Sequence, residues 1–163
     1  MSKERYCPRC GAELAPGEHG GRTRPACPRE GCGYVHWDNP VPVVAAIVER
    51  EGCVLLVRNK TFPEKWFGLV TGFLERGETP EEGVLREVKE ELGLDAELGS
   101  LVGAYAFLPM NQLIVAYHVV ARGEVVLGEE LADYKAVPIE KLRPWPFATG
   151  DAVRDWLARR ARA

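Results

Sequence analysis

The sequence contains no apolar run that approaches the roughly 20 residues of a membrane-spanning helix. Its first ten residues, MSKERYCPRC, lack the apolar core of a signal peptide, and no repeat or low-complexity segment follows them. The net charge is only −3, so no overall field favours nucleic acid or a membrane surface. We therefore expect a cytoplasmic protein that has no membrane partner.

The composition is that of a soluble globular protein, with 46% hydrophobic and 28% charged residues. A chain of 163 residues has room for one core of roughly 100–150 residues and a small appendage. The turn signal Asp38-Asn39-Pro40 separates a segment with few aliphatic residues from the rest of the chain. We predict two domains, residues 1–38 and residues 39–163.

Cysteine is scarce, and in a reducing compartment its five copies indicate metal binding rather than disulfides. Four of them form two pairs, CPRCG and CPREGCG, which have the pattern of a zinc knuckle and of a knuckle with two added residues. We predict a structural Zn²⁺ site of four thiolates, from Cys7, Cys10, Cys27 and Cys32. The alternatives are a vestigial site without metal, or His19 or His36 in place of one thiolate. Cys53 lies in the apolar run CVLLV and is expected in the core.

A well-capped helix is predicted over residues 80–92. Thr79 is a suitable N-cap, and Pro80 occupies the first helical position. Glu82 completes a capping box, and Gly93 is placed to end the helix. Apolar residues at helical spacing form a stripe that would dock on a core: Val84, Leu85, Val88 and Leu92.

The opposite face of this helix is acidic. Glu87, Glu90 and Glu91 fall at positions i, i+3 and i+4 and therefore share one face. Like charges at this spacing destabilise a helix by roughly 0.2–0.5 kcal/mol per pair. A hard divalent cation such as Mg²⁺, which prefers oxygen ligands, would reverse the sign of that effect. An isolated charge run of this kind is more often a solvated helix face, so the surrounding sequence decides between the two readings.

The surrounding sequence, residues 72–94, matches the Nudix signature G-x5-E-x7-R-E-U-x-E-E-x-G-U at every fixed position, where U is a bulky aliphatic residue. The matching residues are Gly72, Glu78, Arg86, Glu87, Val88, Glu90, Glu91, Gly93 and Leu94. The chain therefore resembles the Nudix hydrolases. The resemblance implies an α/β/α sandwich with a mixed sheet over roughly residues 40–160, preceded by the small zinc ribbon.

The pattern along the chain agrees with that α/β architecture. Strands are predicted at residues 42–49, 53–59, 66–71, 101–108, 113–122 and 134–139, the first two forming a hairpin. A second helix is predicted at residues 148–161, with Thr149 as its cap.

The resemblance also implies roles for the signature residues. In the family, Mg²⁺ or Mn²⁺ is held by the glutamates that match Glu87, Glu90 and Glu91 and by the glycine carbonyl that matches Gly72. The glutamate that matches Glu78 contributes directly or through water. Glu87, Glu90 and Arg86 are the candidate catalytic residues. Glu90 is the preferred general base, because it can accept a proton while its neighbours keep the metals. Arg86 is interpreted as a residue that orients a carboxylate by bidentate pairing.

A carboxylate from a later loop often joins such a site. Glu129, Glu130 and Asp133 are candidates as metal ligands, and Glu130 fits best because it precedes residues 131–137, the entry into the last predicted strand. A merely solvated loop glutamate is the alternative.

Several other side chains near the signature are candidates for contact with a base or ribose. Trp66 and Phe73 flank the glycine loop and would either stack on a base or pack in the core. Asn111 and Gln112 would either hydrogen-bond a base or ribose, or form an ordinary turn. His118 is expected to be a packed or surface residue.

A zinc ribbon followed by this signature resembles the bacterial NADH pyrophosphatases and related Nudix enzymes that act on dinucleotides. Their Ser-Gln-Pro-Trp-Pro-Phe-Pro type motif is missing after the signature, where YAFLPMNQL stands, which weighs against NADH specificity but not against hydrolysis. The sequence PWPF does occur at residues 144–147, and we interpret it as a rigid aromatic turn that docks the C-terminal helix.

The expected function is Mg²⁺-dependent hydrolysis of a nucleoside diphosphate linked to another moiety, as in NADH, FAD or ADP-ribose, with release of a nucleoside monophosphate. We also expect a homodimer, because ribbon-bearing relatives pair. The alternatives are a nucleic-acid-binding or regulatory protein that uses the Nudix fold as a ligand sensor, and removal of NAD caps from RNA. Residues 1–40 hold six Lys/Arg against five Asp/Glu, so a small-molecule nucleotide is the expected partner rather than nucleic acid.

Overall fold

The computed structural model describes residues 4–162; the first three residues and the last one, at the outer ends of the predicted domains, lie outside the described part. The chain divides into two compact units, Met1–Asn39 and Pro40–Ala163. Within the described residues, no helix is long and apolar enough to cross a membrane.

The first unit contains a hairpin that the sequence analysis did not predict. Strand β1 (Ala15–His19) pairs antiparallel with β2 (Arg22–Ala26). The two-residue connection is Gly20-Gly21, with φ angles of 59° and 72°. Left-handed backbone at both central positions is what a type I′ hairpin turn requires, so the Gly-Gly pair was the available sequence signal.

The second unit is built on one mixed sheet of six strands. They are β3 (Val41–Arg50), β4 (Cys53–Asn59), β5 (Val70–Phe73), β6 (Asp95–Phe107), β7 (Gln112–Arg122) and β8 (Leu131–Pro138). The strand order is β6-β7-β3-β4-β8, and β5 pairs with β3 beside that path. The β3–β7 pair is parallel and the other pairs are antiparallel.

The central strand β3 explains why helices cover both faces of the sheet. Successive side chains of a strand point to opposite faces. Val44, Ala46 and Val48 pack in one cluster with α1 (Pro80–Leu92), whereas Val43, Ala45 and Ile47 pack in another with α2 (Gly150–Arg160). The predicted α/β/α sandwich with a mixed sheet is confirmed.

Three predicted strand positions were inaccurate. Residues 66–69 form a loop, and the strand predicted at 66–71 lies instead at Val70–Phe73, where it pairs with β3. Strand β6 begins at Asp95, not at residue 101, because its first half is an exposed edge whose polar residues give no apolar alternation. Strand β8 begins at Leu131, three residues before the predicted start.

The second helix also differs from its prediction. It runs from Gly150 to Arg160, and Thr149 occupies the N-cap position without a side-chain capping hydrogen bond. The predicted N-cap position is therefore confirmed, but its backbone angles are helical and its hydroxyl does not act as a cap; only 7% of Thr149 is exposed. Trp145, in the preceding turn, packs against the cluster that contains α2.

Candidate active site and metal centres

Helix α1 has the ends that the sequence predicted. The hydroxyl of Thr79 accepts a hydrogen bond from the Glu82 amide at 3.2 Å, and the Glu82 carboxylate accepts one from the Thr79 amide at 2.8 Å. Gly93 ends the helix with a φ angle of 68°. Val84, Val88 and Leu92 are fully buried against the sheet. These contacts fix the rotation of the helix about its axis and therefore turn its acidic face away from the core.

The glycine loop lies directly beneath one of the helix glutamates. Gly72 belongs to β5 and pairs with Val44 of the central strand. A Cβ atom built on Gly72 would lie 1.8 Å from Oε1 of Glu87. Only glycine allows this close approach of a carboxylate to the backbone.

Arg86 connects three of the signature glutamates. Its Nη2 and Nε atoms donate to the two carboxylate oxygens of Glu78 at 2.7 and 3.0 Å, which is a bidentate pair. Its Nη1 donates to Glu87 at 2.7 Å and to Glu90 at 3.0 Å. The hydrogen bond from Arg86, together with the Glu75 amide, lowers the pKa of Glu78 to about 2.

Glu91 stands apart from this ion-pair network. Its Oε2 atom is buried and has no hydrogen-bond partner among the described residues. Burial, followed by the charges of Glu87, Glu130 and Glu90, raises the pKa of Glu91 to about 8. Burial also raises the pKa of Glu87. A buried carboxylate among like charges is unfavourable unless it is protonated or a cation is present.

The loop before β8 is fastened to the C-terminal end of α1. The amide of Gly128 donates to the carbonyl of Glu91 at 2.8 Å, and the Val126 amide donates to the Leu92 carbonyl at 2.9 Å. Glu129 and Glu130 consequently line the same cleft as the helix glutamates. Asp133 lies farther along, on β8, where its carboxylate accepts a hydrogen bond from the Tyr134 amide, and it is not among the residues that line the cleft within the described chain.

The cleft has a volume of about 1360 Å³ and is lined by two chemically different groups of side chains. One group is acidic and consists of Glu87, Glu90 and Glu91, with Gly72 beside Glu87. The other group is apolar and aromatic, and it includes Phe62, Trp66, Phe67, Phe107, Met110, Trp145 and Phe147. This lining suits a ligand that has both an anionic part and a flat, apolar part.

Of the other residues that the sequence suggested for contact with a base or ribose, some line the cleft and some do not. Phe73 and Gln112 line the cleft. Asn111 caps a short 3₁₀ turn with left-handed backbone, and within the described chain it is outside the cleft lining. His118 is packed away from the site, with Nε2 2.9 Å from a Glu49 carboxylate oxygen and its ring centroid 5.3 Å from that of Trp156. Sequence reasoning missed Phe147 as a cleft residue, although it noted the PWPF sequence that contains it.

The four cysteines of the first unit form a compact cluster. Cys7 and Cys32 have their sulfur atoms 3.7 Å apart, and those of Cys10 and Cys27 are 3.5 Å apart. Four thiolates around a tetrahedral Zn²⁺, with Zn–S bonds of about 2.3 Å, have sulfurs separated by about 3.8 Å. Cys53 is half-buried at the start of β4, far along the chain from this group.

The pKa values of two of these thiols are shifted in opposite directions, as expected for thiols that share one site. The Ala12 amide and the Cys27 side chain lower the pKa of Cys10 to about 7. The Arg29 amide acts to lower the pKa of Cys27, but burial and the thiol of Cys10 outweigh it and raise that pKa to about 12. Neighbouring thiols cannot all ionise without a cation, so a zinc ribbon is the arrangement that this cluster fits.

The carboxylates are less closely gathered than the thiols. In the described part of the chain, the cysteine group alone has all its ligand atoms within 4.8 Å of one another. The guanidinium of Arg86 lies between the acidic side chains and pairs with three of them. The donor set nonetheless consists of hard oxygen atoms, one of which, Oε2 of Glu91, is buried without a hydrogen-bond partner among residues 4–162, and such a set fits Mg²⁺ or Mn²⁺ better than a softer metal.

Two curated relatives resemble this chain. It is 29% identical to the NAD-capped RNA hydrolase NudC of Stutzerimonas stutzeri, in an alignment that covers 98% of this chain and 58% of NudC. It is 32% identical to an ADP-ribose pyrophosphatase of Methanocaldococcus jannaschii, over 76% of this chain and 75% of that protein. The chain thus spans little more than half the length of its NudC relative.

A solved structure and a protein-family model also match this chain. The fold matches that of a NUDIX hydrolase from Nitrosomonas europaea with a TM-score of 0.80, at 24% identity, over 98% of this chain and 94% of that one. The NUDIX domain model matches residues 39–157. That range contains the whole acidic helix, the glycine loop and the cleft, and the chain belongs to the NUDIX domain family.

Proposed function

We propose that the chain is a Mg²⁺- or Mn²⁺-dependent pyrophosphohydrolase. Its substrate would be a nucleoside diphosphate linked to another moiety, such as ADP-ribose, NADH or FAD, and a product would be a nucleoside monophosphate. The observation that carries the proposal is the buried Oε2 of Glu91, which has no hydrogen-bond partner among the described residues, in a cleft that is also lined by aromatic side chains. The names of the two curated relatives support a substrate of this type.

The carboxylates that would hold the cation belong to helix α1 and the loop before β8. They are Glu87, Glu90, Glu91 and Glu130, with the carbonyl of Gly72 and with Glu78 acting directly or through water. A bound divalent cation would neutralise phosphate oxygens and make a water molecule more acidic. Because Arg86 now pairs with Glu87 and Glu90, cation binding would release these two carboxylates and leave Arg86 on Glu78.

The residues of the chain have distinct tasks in this reaction. Water attacks one phosphorus of the anhydride, and the bond from that phosphorus to the bridging oxygen breaks. We assign acceptance of the water proton to Glu90, because its side chain is 59% exposed and within reach of the cleft, whereas that of Glu87 is only 13% exposed. Arg86 is assigned to hold Glu78 in place through the bidentate pair.

The test is a turnover assay with NADH, FAD, ADP-ribose, dinucleoside polyphosphates and nucleoside triphosphates, each with Mg²⁺ or Mn²⁺. We expect hydrolysis of at least one dinucleotide-type substrate and a loss of kcat in Glu90→Gln of about 10²-fold or more. Absence of turnover with every compound would refute the proposal. A Glu90→Gln enzyme as fast as wild type would refute the assignment of the base.

Removal of an NAD cap from RNA is the second candidate. Its support is the alignment with NudC, which extends over 98% of this chain, including the ribbon. Competition between NAD-capped RNA and free NADH separates the two candidates. A kcat/KM for capped RNA at least tenfold above that for free NADH would favour the RNA substrate.

The homodimer and the cytoplasmic location stay predictions from the sequence. Light scattering at micromolar concentration tests the first, and a monomer would refute it. A sensor that keeps the fold without catalysis is disfavoured by the retention of every acidic signature position, but salt-dependent RNA or DNA binding without turnover would support it.

A further inference from the structure

We propose that Trp66 and Phe147 together form a base platform, a surface on which the nucleobase of the substrate stacks. The inference rests on the proposed function for the identity of the whole substrate, but it concerns a separate step, recognition of the base. The shared chemistry is that of a planar aromatic ring, so purine and pyridine bases are both admitted.

The two rings form a pair that ordinary core packing does not explain. Their centroids are 5.7 Å apart with an interplanar angle of 37°. They come from distant parts of the chain, yet Trp66 is 56% exposed and Phe147 is 48% exposed. Two large apolar side chains in contact with each other, and still half open to solvent in a cleft, present unused stacking surface.

The segments that carry the two rings make contacts of their own. Next to Phe147, Trp145 packs in the cluster with α2, and its carbonyl oxygen comes so close to Gly150 that a Cβ atom there would lie 1.8 Å from it. On the other side, the amide of Trp66 donates to the Pro63 carbonyl at 2.9 Å. A surface that is already in place loses little conformational entropy when a ligand binds.

The platform and the acidic residues belong to one cleft. Trp66, Phe147 and Glu90 all line the same space of about 1360 Å³, which is far larger than a diphosphate alone requires. A nucleotide combines anionic phosphates with a flat base, and the lining of this cleft combines acidic with aromatic side chains. Stacking on an aromatic side chain tolerates different bases, because every base has a π face.

The decisive experiment compares two ligands that differ only in the base. Calorimetry with Mg²⁺ present measures the binding of AMP and of ribose 5-phosphate to the whole chain. We expect Trp66→Ala and Phe147→Ala each to weaken AMP binding by on the order of 10-fold and to leave ribose 5-phosphate unchanged. Trp66→Phe should restore most of the loss, and Leu101→Ala, an exposed apolar residue outside the cleft lining, should change neither ligand.

Turnover gives a second readout. In Trp66→Ala and Phe147→Ala the KM for ADP-ribose should rise about tenfold while kcat stays within about threefold, and hydrolysis of di(ribose-5) diphosphate, the base-free analogue, should be unaffected. Equal losses for AMP and ribose 5-phosphate, or AMP binding that neither substitution changes, would overturn the platform. The wild-type protein could bind AMP more tightly than ribose 5-phosphate through these rings and yet hydrolyse no diphosphate. That result would support the base platform and refute the proposed function.

Discussion

The carboxylate of Glu87 lies against the α-carbon of Gly72, so closely that a Cβ atom there would be 1.8 Å from Oε1. One residue lies on a strand and the other on a helix, and the contact brings the glycine loop and the acidic face together. It also explains why the first position of the signature is glycine, although Gly72 has no left-handed φ angle in this structure. The requirement is space, not backbone conformation.

Gly72→Ala should therefore displace the Glu87 carboxylate without unfolding the protein, because the colliding atoms are the far end of a flexible side chain. We expect kcat/KM for ADP-ribose to fall on the order of 10²-fold, as for other misplacements of about 1 Å, with little change in the free energy of unfolding. The matched control is Gly68→Ala, because Gly68 also lines the cleft but a Cβ atom there would meet no atom of the described residues within 4 Å. Equal activity of the two variants would contradict the prediction.

Glu91 should make the magnesium-free protein less stable as pH rises. Its pKa is raised from 4.5 to about 8 in the fold, so between these pH values the folded carboxyl keeps a proton that the unfolded one has lost. Stability from this group is therefore present below pH 4.5 and is lost as pH rises through 8. Glu78, with its pKa lowered from 4.5 to about 2, is ionised in the folded protein throughout this window, and it adds only a small opposite slope near pH 5, where the unfolded carboxyl is still partly protonated.

Urea unfolding of protein dialysed free of Mg²⁺, at pH 5, 6.5 and 8, measures this effect. Glu91→Gln should flatten the decline and raise the free energy of unfolding at pH 8 by about 1–3 kcal/mol, because the amide brings no negative charge into a buried site among other glutamates. Added Mg²⁺ should stabilise the wild type more than the variant. The exposed Glu97→Gln is the control, and a variant with the same pH slope as wild type would refute the explanation.

Glu130 should matter more for metal affinity than its neighbours. Its charge acts on Glu91, and the loop that carries it is hydrogen-bonded to the end of α1 through Gly128. Glu130→Gln should weaken Mn²⁺ binding, followed by electron paramagnetic resonance, on the order of 10-fold. Glu129→Gln should have a smaller effect, and Asp133→Asn none. If the three variants bind Mn²⁺ equally well, the loop contributes no ligand.

The cysteine cluster should bind one Zn²⁺ per chain. Cys10→Ala should lose the metal and the order of residues 4–39, because a unit this small depends on its metal for stability. Cys53→Ser, outside the cluster, should retain full metal content. Elemental analysis gives the stoichiometry, and nuclear magnetic resonance reports on folding of the unit. Zinc retained in the Cys10 variant would favour the alternative in which a histidine completes the site.

The parts of the structure that depend on local sequence were predicted well. Helix α1 has the predicted bounds because its caps and its apolar stripe lie within 15 residues of one another, from Thr79 to Gly93. Strand β4 was also correct, since a short apolar run between turn residues needs no distant partner to be recognised. The early part of β6 was missed because an exposed edge strand takes its structure from pairing with β7, not from its own pattern.

The sequence by itself determined the family, the acidic helix and the two cysteine pairs, because spacing along one helix or one knuckle specifies which side chains share a face. Only the tertiary structure decided which glutamate lacks a partner and which aromatic residues meet. Glu90 and Glu91 are adjacent in sequence, but the fold pairs Glu90 with Arg86 and buries an oxygen of Glu91 that has no hydrogen-bond partner in the described part of the chain. Burial and contacts between distant residues such as Trp66 and Phe147 arise from packing, which no local pattern contains.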